Sequence, residues 1–191
     1  MTIRLVAGLG NPGAEYRETR HNAGAWFVEA LARRLGVVLR EEPRFLGLHG
    51  RASRNGDNVS LLVPTCFMNL SGQSLAACAR FYRIAPDEML VVHDEIDLDP
   101  GTVRLKSGGG HGGHNGLRDI VSHLGSDFHR LRIGVGHPGS AERVVPWVLS
   151  RANAEDMRRI GEAIERALDS MDDVLAGDFA RAMNVLHQKP T

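Results

Sequence analysis

The chain has 191 residues, enough for one domain with a sizeable core and too few for two, so we expect a single domain spanning residues 1–191. Basic and acidic residues number 23 each, which excludes a global charge that would draw the protein to nucleic acid or a membrane. The N-terminus is unlike a signal peptide, no apolar run approaches the roughly 18 residues that cross a bilayer, and there are two cysteines, so a reducing, cytoplasmic location is expected.

In chain order, the sequence predicts strands alternating with helices. Short apolar or alternating runs predict strands at residues 3–7, 59–63, 89–92 and 131–135. Helical periodicity predicts helices over residues 22–35 and 72–83, one beginning at residue 117, and two within 154–186, broken near Gly177. The interleaved order predicts an α/β protein: one three-layer α/β/α domain with a twisted, mostly parallel but mixed central sheet.

The most unusual segment is residues 106–116, KSGGGHGGHNG, in which six of eleven residues are glycine. Glycine loses the most backbone entropy on ordering, but it lets backbone N–H groups approach a ligand closely. The segment therefore predicts a binding loop in which His111, His114 and Asn115 supply the polar side chains. Residues 100–134 carry five basic and two acidic side chains, so the positive charge is concentrated around this loop.

The string GLGNPG at residues 8–13 matches the G-x-G-x-x-G pattern of dinucleotide-binding folds and follows a predicted strand. We reject that interpretation because Pro12 stands where the phosphate-facing helix would begin. In addition, the acid about 20 residues on, Glu29, falls inside a predicted helix. A tight turn carrying the amide of Asn11 is the preferred interpretation.

Polar side chains follow three of the predicted strands: Asn11 after the first, Met68 and Asn69 after the second, and the run His93-Asp94-Glu95 after the third. In open α/β sheets, ligands collect beyond the carboxyl ends of the strands, so one pocket is expected to gather them. His21 alone would be a capping or surface histidine, but a carboxylate at this edge, Asp94, could orient it as a general base.

The same residues suggest two other chemistries, a metal site and a cysteine nucleophile. His93, Asp94, Glu95, His111 and His114 could ligate a metal, but the spacing lacks H-E-x-x-H and the HGGH run is too rich in glycine for a helix, so no metal is expected. Cys66 could be a nucleophile, but no nearby group would activate it, and a buried, inert role is preferred.

Five segments together resemble the bacterial peptidyl-tRNA hydrolase family, in the same order and over most of the chain. They are GLGNPGAEYRETRHNAGAWFV, PTCFMNLSG, HDEIDLDPG, KSGGGHGGHNGL and FHRLRIGVGHPG. The resemblance implies a monomeric esterase, without metal or cofactor, that acts in translation. Its substrate would be peptidyl-tRNA, cleaved between the peptide's C-terminal carbonyl and the 3′ ribose of the tRNA. Residues after Arg151 contribute little to the match.

The resemblance also implies residue roles. His21 would be the base, Asp94 its orienting carboxylate and Asn69 a catalytic amide. Asn11 and Asn115 would position peptide, water or the terminal nucleotide, and the cleft would be lined by Tyr16, Phe67, Met68 and His114. The tRNA phosphates would meet Arg104, Lys106 and Arg132. The family often has lysine where Arg104 stands, and relatives can be longer at residues 125–128, so the contact geometry and that loop are left open.

The implied chemistry suits the residues. An aminoacyl ester is already reactive, so hydrolysis requires a positioned water, a base of near-neutral pKa and amide donors for the oxyanion. Three rival functions are a non-catalytic RNA-binding protein, a metal-dependent amidase or aminopeptidase, and a nucleotide-dependent oxidoreductase. Turnover of a peptidyl-tRNA ester and sensitivity to a chelator distinguish the first two, and the GLGNPG argument weakens the third.

Overall fold

A computed structural model describes residues 1–188. The strands are β1 Leu5–Gly8, β2 Arg40–Glu42, β3 Gly47–Arg54, β4 Asp57–Pro64, β5 Met89–Glu95, β6 Val103–Ser107 and β7 His129–Gly134. The α-helices are α1 Ala23–Arg34, α2 Ser71–Tyr82, α3 Asn115–Leu124, α4 Val144–Val148, α5 Ala154–Asp169, α6 Met171–Ala176 and α7 Phe179–Leu186. Within residues 1–188, no helix is long and apolar enough to cross a membrane.

The strands form one mixed sheet in the order β2-β3-β4-β1-β5-β7-β6. Its centre, β4-β1-β5-β7, is parallel, and both margins are antiparallel. One apolar cluster packs α1 and α5 against one face of the sheet, and a second packs α2 and α3 against the other. The predicted α/β class with helices on both faces of a mixed sheet is therefore confirmed.

The elements that the sequence did not predict are polar or short. Strand β2 has the sequence REE and is largely exposed, and β3 carries two glycines and little buried surface. Strand β6 buries Val103 and Leu105 but turns Arg104 and Lys106 to the other face, so its apolar signal is only two residues. The C-terminal region is broken at Ser170 as well as at Gly177, giving three helices where two were predicted.

The close packing of α1 on the sheet determines the position of the segment that precedes this helix. A Cβ at Gly24 would lie 2.2 Å from the carbonyl oxygen of Val92, a distance that real side chains do not reach. The Leu9 amide donates to the same carbonyl at 3.0 Å. The start of α1 therefore lies directly against the carboxyl ends of β1 and β5, where the predicted polar side chains are found.

Candidate active site

The centre of the site is the carboxylate of Asp94, near the end of β5, which is 3% exposed. The Nδ1 atom of His21 lies 2.9 Å from its Oδ2 atom, and the Nε2 atom of His114 lies 2.8 Å from its Oδ1 atom. The two imidazole rings are 4.8 Å apart between centroids. One buried carboxylate therefore joins two histidines from separate parts of the chain.

The hydrogen bonds of His114 determine which of its nitrogens carries the proton. Its Nδ1 atom accepts from the amides of Gly116 and Leu117, at 3.1 and 3.3 Å, and so caps the N-terminus of α3. A nitrogen that accepts from N–H groups has no proton of its own, so Nε2 carries the proton and donates it to Asp94. His114 is thus both a helix cap and a hydrogen-bond donor to the carboxylate.

The proton position of His21 follows from the same reasoning. A carboxylate that is ionised can only accept, so the Nδ1 atom of His21 donates to Asp94 and the lone pair of the neutral ring is on Nε2. No hydrogen bond of that Nε2 atom occurs within residues 1–188, and His21 lines two adjoining cavities. The ring therefore presents an unprotonated nitrogen to the open part of the site.

The carboxylate and the base shift each other's pKa. Burial alone would raise the pKa of Asp94, but the charges and hydrogen bonds of His21 and His114 hold it well below its usual range. Burial lowers the pKa of His21, whereas the charge and hydrogen bonds of Asp94 raise it, and the net shift is upward. Asp94 therefore stays ionised, and its negative charge stabilises the protonated form of His21.

A third histidine, His93, lies behind His114, with ring centroids 5.1 Å apart. Its Nδ1 atom donates to the backbone carbonyl of Asp94 at 2.8 Å, and its buried Nε2 atom has no partner within the described chain. Burial, followed by the proximity of His114, lowers the pKa of His93 to about 3. His93 is therefore neutral near pH 7, and its buried ring packs behind His114 without acting as a second base.

Amide side chains tie the turn after β1 to the segment after β4. The side-chain oxygen of Asn22 accepts from the Asn11 amide at 2.9 Å, and its nitrogen donates to the Asn11 carbonyl at 3.0 Å. The Asn11 side-chain oxygen accepts from the Met68 amide at 2.8 Å. Asn22 is the N-cap residue of α1, but its side chain makes these hydrogen bonds to Asn11 and does not cap the helix.

Asn69 lies in the 3-10 turn Met68–Leu70, and its exposed side chain lines one of the cavities next to His21. It does not cap the helix that follows. The Gly72 amide at the start of α2 donates instead to Asp119 on α3 at 2.7 Å. Within residues 1–188 the Asn69 side-chain amide makes no hydrogen bond, so it is available to a ligand.

The two cavities meet at His21 and share Asn115, Val145 and Val148. Of the residues that the resemblance implies for the cleft, the exposed Phe67 and the buried Met68 line the first cavity together with Asn11, and His114 lines the second. Tyr16 belongs to the turn before residues 20–22 and is not among the lining residues of either cavity.

No sequence pattern predicted the wall of the cleft that α4 forms. The Arg20 guanidinium stacks on Trp147, 3.4 Å from the ring centroid, and donates to the Trp147 carbonyl and the Ser150 hydroxyl. Arg20 precedes His21, so one turn of chain both carries the base and anchors α4. This places Val145 and Val148 over the cleft.

The basic residues predicted to meet phosphates lie on β6 and β7. Arg104 and Arg132 are register partners across the two strands. The Arg132 Nε atom lies 2.9 Å from Glu95 Oε1, so its charge is balanced. Lys106 is exposed and forms no ion pair within residues 1–188.

Two alternative sites can be compared with this geometry. The chain after β1 runs as turns until residue 20, and α1 begins only at Ala23, so the helix does not start directly from the GLGNPG turn as it does in a dinucleotide site. His21, Asp94 and His114 bring potential metal ligands within 4.8 Å of one another. Coordination through His114 Nε2, however, would require the proton that the capping bonds keep there to leave.

Comparisons of the sequence and of the structure with known proteins all identify the same family. A family model described as peptidyl-tRNA hydrolase matches residues 5–191. The peptidyl-tRNA hydrolase of Acinetobacter baylyi is 54% identical over 185 residues, covering 97% of this chain and 96% of that protein. That of Pseudomonas entomophila is 56% identical over 187 residues, covering 97% and 96%. A crystal structure of the enzyme from Acinetobacter baumannii superposes with a TM-score of 0.96 at 52% identity, covering 99% of this chain and 97% of that one.

The proton positions of the three histidines can be measured directly. We expect side-chain ¹⁵N NMR to show His114 protonated on Nε2, His93 protonated on Nδ1 and neutral down to a pH of about 3, and His21 protonated only on Nδ1 once the pH is above its own raised pKa. An Nδ1-protonated His114, or a His93 that titrates near neutrality, would contradict the hydrogen-bond assignment.

Proposed function

Because the chain belongs to the peptidyl-tRNA hydrolase family, we propose that it hydrolyses the ester between the C-terminal carbonyl of a peptide and the 3′ ribose oxygen of tRNA, with water activated by His21. The observation that carries this proposal is a single arrangement: Asp94 holds His21 by Nδ1, and the bare Nε2 atom faces the cleft. The products are a free peptide and a reusable tRNA.

The proposed reaction needs one base and one water. His21 Nε2 removes a proton from a water molecule in the cleft while the water oxygen attacks the ester carbonyl carbon. Asp94 stabilises the imidazolium that forms, because the ion pair lies in a buried, low-dielectric site. The tetrahedral intermediate then breaks its bond to the 3′ oxygen, and the imidazolium returns the proton to that leaving oxygen.

We assign to Asn69 the donor for the oxyanion. Its amide is free of structural hydrogen bonds within residues 1–188 and shares a cavity with His21. Preorganised donors stabilise the negative charge that develops on a carbonyl oxygen during attack. Asn11 and Asn115, in the same cavity, are proposed to orient the substrate, and the apolar Phe67 and Met68 to contact it.

We propose that the basic residues near the glycine-rich loop contact the phosphates of the tRNA part of the substrate. Arg104 and Lys106 lie on the edge strand β6 and Arg132 lies on the neighbouring β7, and β6 leads into the loop that ends at His114. Phosphate contacts of this kind position a nucleic acid without reading its bases, so we propose that the enzyme accepts tRNAs of different sequence.

We propose that no metal takes part in the reaction. The proton on His114 Nε2 is fixed by the two amides that its other nitrogen accepts, and metal binding there would remove the cap of α3. Hydrolysis of N-acetylated aminoacyl-tRNA by purified protein, with and without EDTA, tests the function and this feature together.

The base assignment predicts that His21→Ala lowers kcat by about 10²–10⁴-fold while tRNA binding is nearly unchanged, because general-base catalysis adds little to ground-state affinity. Asp94→Asn should be milder. Steady-state kinetics and a tRNA binding assay measure the two effects. Near wild-type turnover of His21→Ala at saturating substrate would show that another group is the base.

The oxyanion assignment predicts an order of effects at Asn69. Loss of one such donor lowers kcat by about 10²–10³-fold, so Asn69→Ala should be severely impaired, and Asn69→Asp at least as much because a carboxylate repels the oxyanion. Melting temperatures serve as the control for folding. An active and stable Asn69→Asp enzyme would rule out the role.

A further inference from the structure

Strand β6 is an edge of the sheet, and a histidine from the last helix binds its backbone. The amide of Leu105, in the middle of β6, donates to Nε2 of His187 at 3.1 Å. His187 is the C-cap residue of α7. The outward N–H groups of an edge strand have no neighbouring strand to accept them, so this imidazole takes the place of a strand partner.

The apolar face of α7 supports this contact. Leu105, Ala182 and Leu186 are buried in the same apolar cluster, so α7 packs against the face of β6 that carries Leu105. At the other end of the helix, Phe179 packs on His129 of β7, with ring centroids 4.1 Å apart. The helix is therefore held to β7 by its first residue and to β6 by the residue after its last turn.

The hydrogen bond of His187 lies between the two basic residues of β6. Side chains alternate along a strand, so Arg104 and Lys106 project from the face opposite to Leu105. Both belong to peptide units that adjoin Leu105. A hydrogen bond to the Leu105 amide therefore holds the part of the edge strand from which both cations project.

This hydrogen bond also determines the proton position of His187. A nitrogen that accepts from an N–H group carries no proton, so the neutral ring is protonated on Nδ1. Burial, followed by the charge of Arg104 on β6, lowers the pKa of His187. The bond to Leu105 is therefore present at neutral pH, and it is lost as the pH falls through this lowered pKa because Nε2 then becomes a donor.

Other charged or titratable groups that pack with α7 are engaged elsewhere. From α6, Asp173 pairs with Arg181 of α7 at 3.4 Å. From β7, the Nε2 atom of His129 lies 3.0 Å from the backbone carbonyl of Asp87. Burial lowers the pKa of His129 as well, so the effect of acid on the two histidines is separated by comparing variants of His187.

We propose that His187 is a positioning residue for tRNA binding, which holds the backbone of β6 at Leu105 so that Arg104 and Lys106 are presented to the substrate. This inference rests on the proposed function, in which these two basic residues contact phosphates. His187 acts through the strand and does not touch the substrate. No local sequence pattern indicates the contact, because the imidazole and the amide are 82 residues apart.

The experiment compares three variants with the wild type. His187→Leu removes the acceptor, whereas His187→Gln supplies an acceptor oxygen on a side chain of similar length that does not titrate. Phe179→Leu is the matched control, because it weakens the packing of the same helix without removing the acceptor of the Leu105 amide. The quantities measured are kcat and KM for N-acetylated aminoacyl-tRNA, Kd for deacylated tRNA, and melting temperature.

We expect His187→Leu to raise KM and Kd for tRNA by about 3–10-fold, as for one lost hydrogen bond, while kcat stays near wild type. His187→Gln should restore most of the affinity, and Phe179→Leu should change Kd by less than half as much as His187→Leu. Hydrolysis of an N-acetyl-aminoacyl ester of adenosine, which has no acceptor stem, should be unaffected in all three.

The pH dependence of Kd distinguishes a positioning role from a general structural one. As the pH falls below the ordinary histidine range, the Kd of the wild type should rise because the bond between His187 and Leu105 is lost. His187→Gln should lack this part of the rise because its amide does not titrate. Parallel curves for the two proteins would contradict the proposal.

Three further results would overturn the assignment. They are a Kd of His187→Leu within about 1.5-fold of wild type, an impairment of His187→Gln equal to that of His187→Leu, and equal losses on the tRNA and adenosine esters. If His187→Leu melts far below wild type, the pH curves of the wild type and His187→Gln decide. A wild-type protein that cleaves neither ester would refute the proposed function, and the Kd comparisons would still test His187.

Discussion

The site depends on one buried carboxylate that accepts hydrogen bonds from two histidines. An isolated ionised carboxylate at the position of Asp94 would be strongly disfavoured, and it is tolerated because His21 and His114 both donate to it. The proton positions of both rings follow from this. The ionised Asp94 requires a proton on Nδ1 of His21, and only then does Nε2 of that ring carry a lone pair in the cleft. The role as a base that we propose for His21 thus depends on the hydrogen bonds that Asp94 accepts.

Secondary structure supplies each contact to the carboxylate. Strand β5 presents Asp94, the turn before α1 presents His21, and the N-terminus of α3 is capped by His114. The close contact of Gly24 with Val92 holds the turn before α1 against β5. The hydrogen bonds among Asn11, Asn22 and Met68 connect the same turn to the segment after β4. The Gly72 amide donates to Asp119, and within residues 1–188 the Asn69 side chain makes no hydrogen bond. The groups proposed to act on water and ester are in this way assembled at the carboxyl ends of the central strands.

The sequence predicted the parts of the fold with strong apolar signals. Strands β1, β4, β5 and β7 and helices α1 and α2 were placed to within a few residues, since each buries a continuous face. Strands β2, β3 and β6 were missed because charged residues or glycines interrupt their alternation. For the site, the rule that strand ends gather polar residues predicted that Asn11, Asn69 and Asp94 would lie together, and His21 and Asp94 are in contact. The capping role of His114, the burial of Arg130 and the pairing of Arg132 with Glu95 depend on which side chains meet across the fold, and no local pattern encodes them.

The pH dependence of kcat/KM for the wild type and Asp94→Asn tests the central claim most directly. Activity should rise with pH as His21 loses its proton, and in the wild type the midpoint should lie above the usual histidine pKa because Asp94 favours the protonated ring. Removal of that charge should move the acidic limb of Asp94→Asn to lower pH and reduce the plateau. An acidic limb at the same pH in both proteins would contradict the account, because the group that limits activity would then not be a histidine held by Asp94.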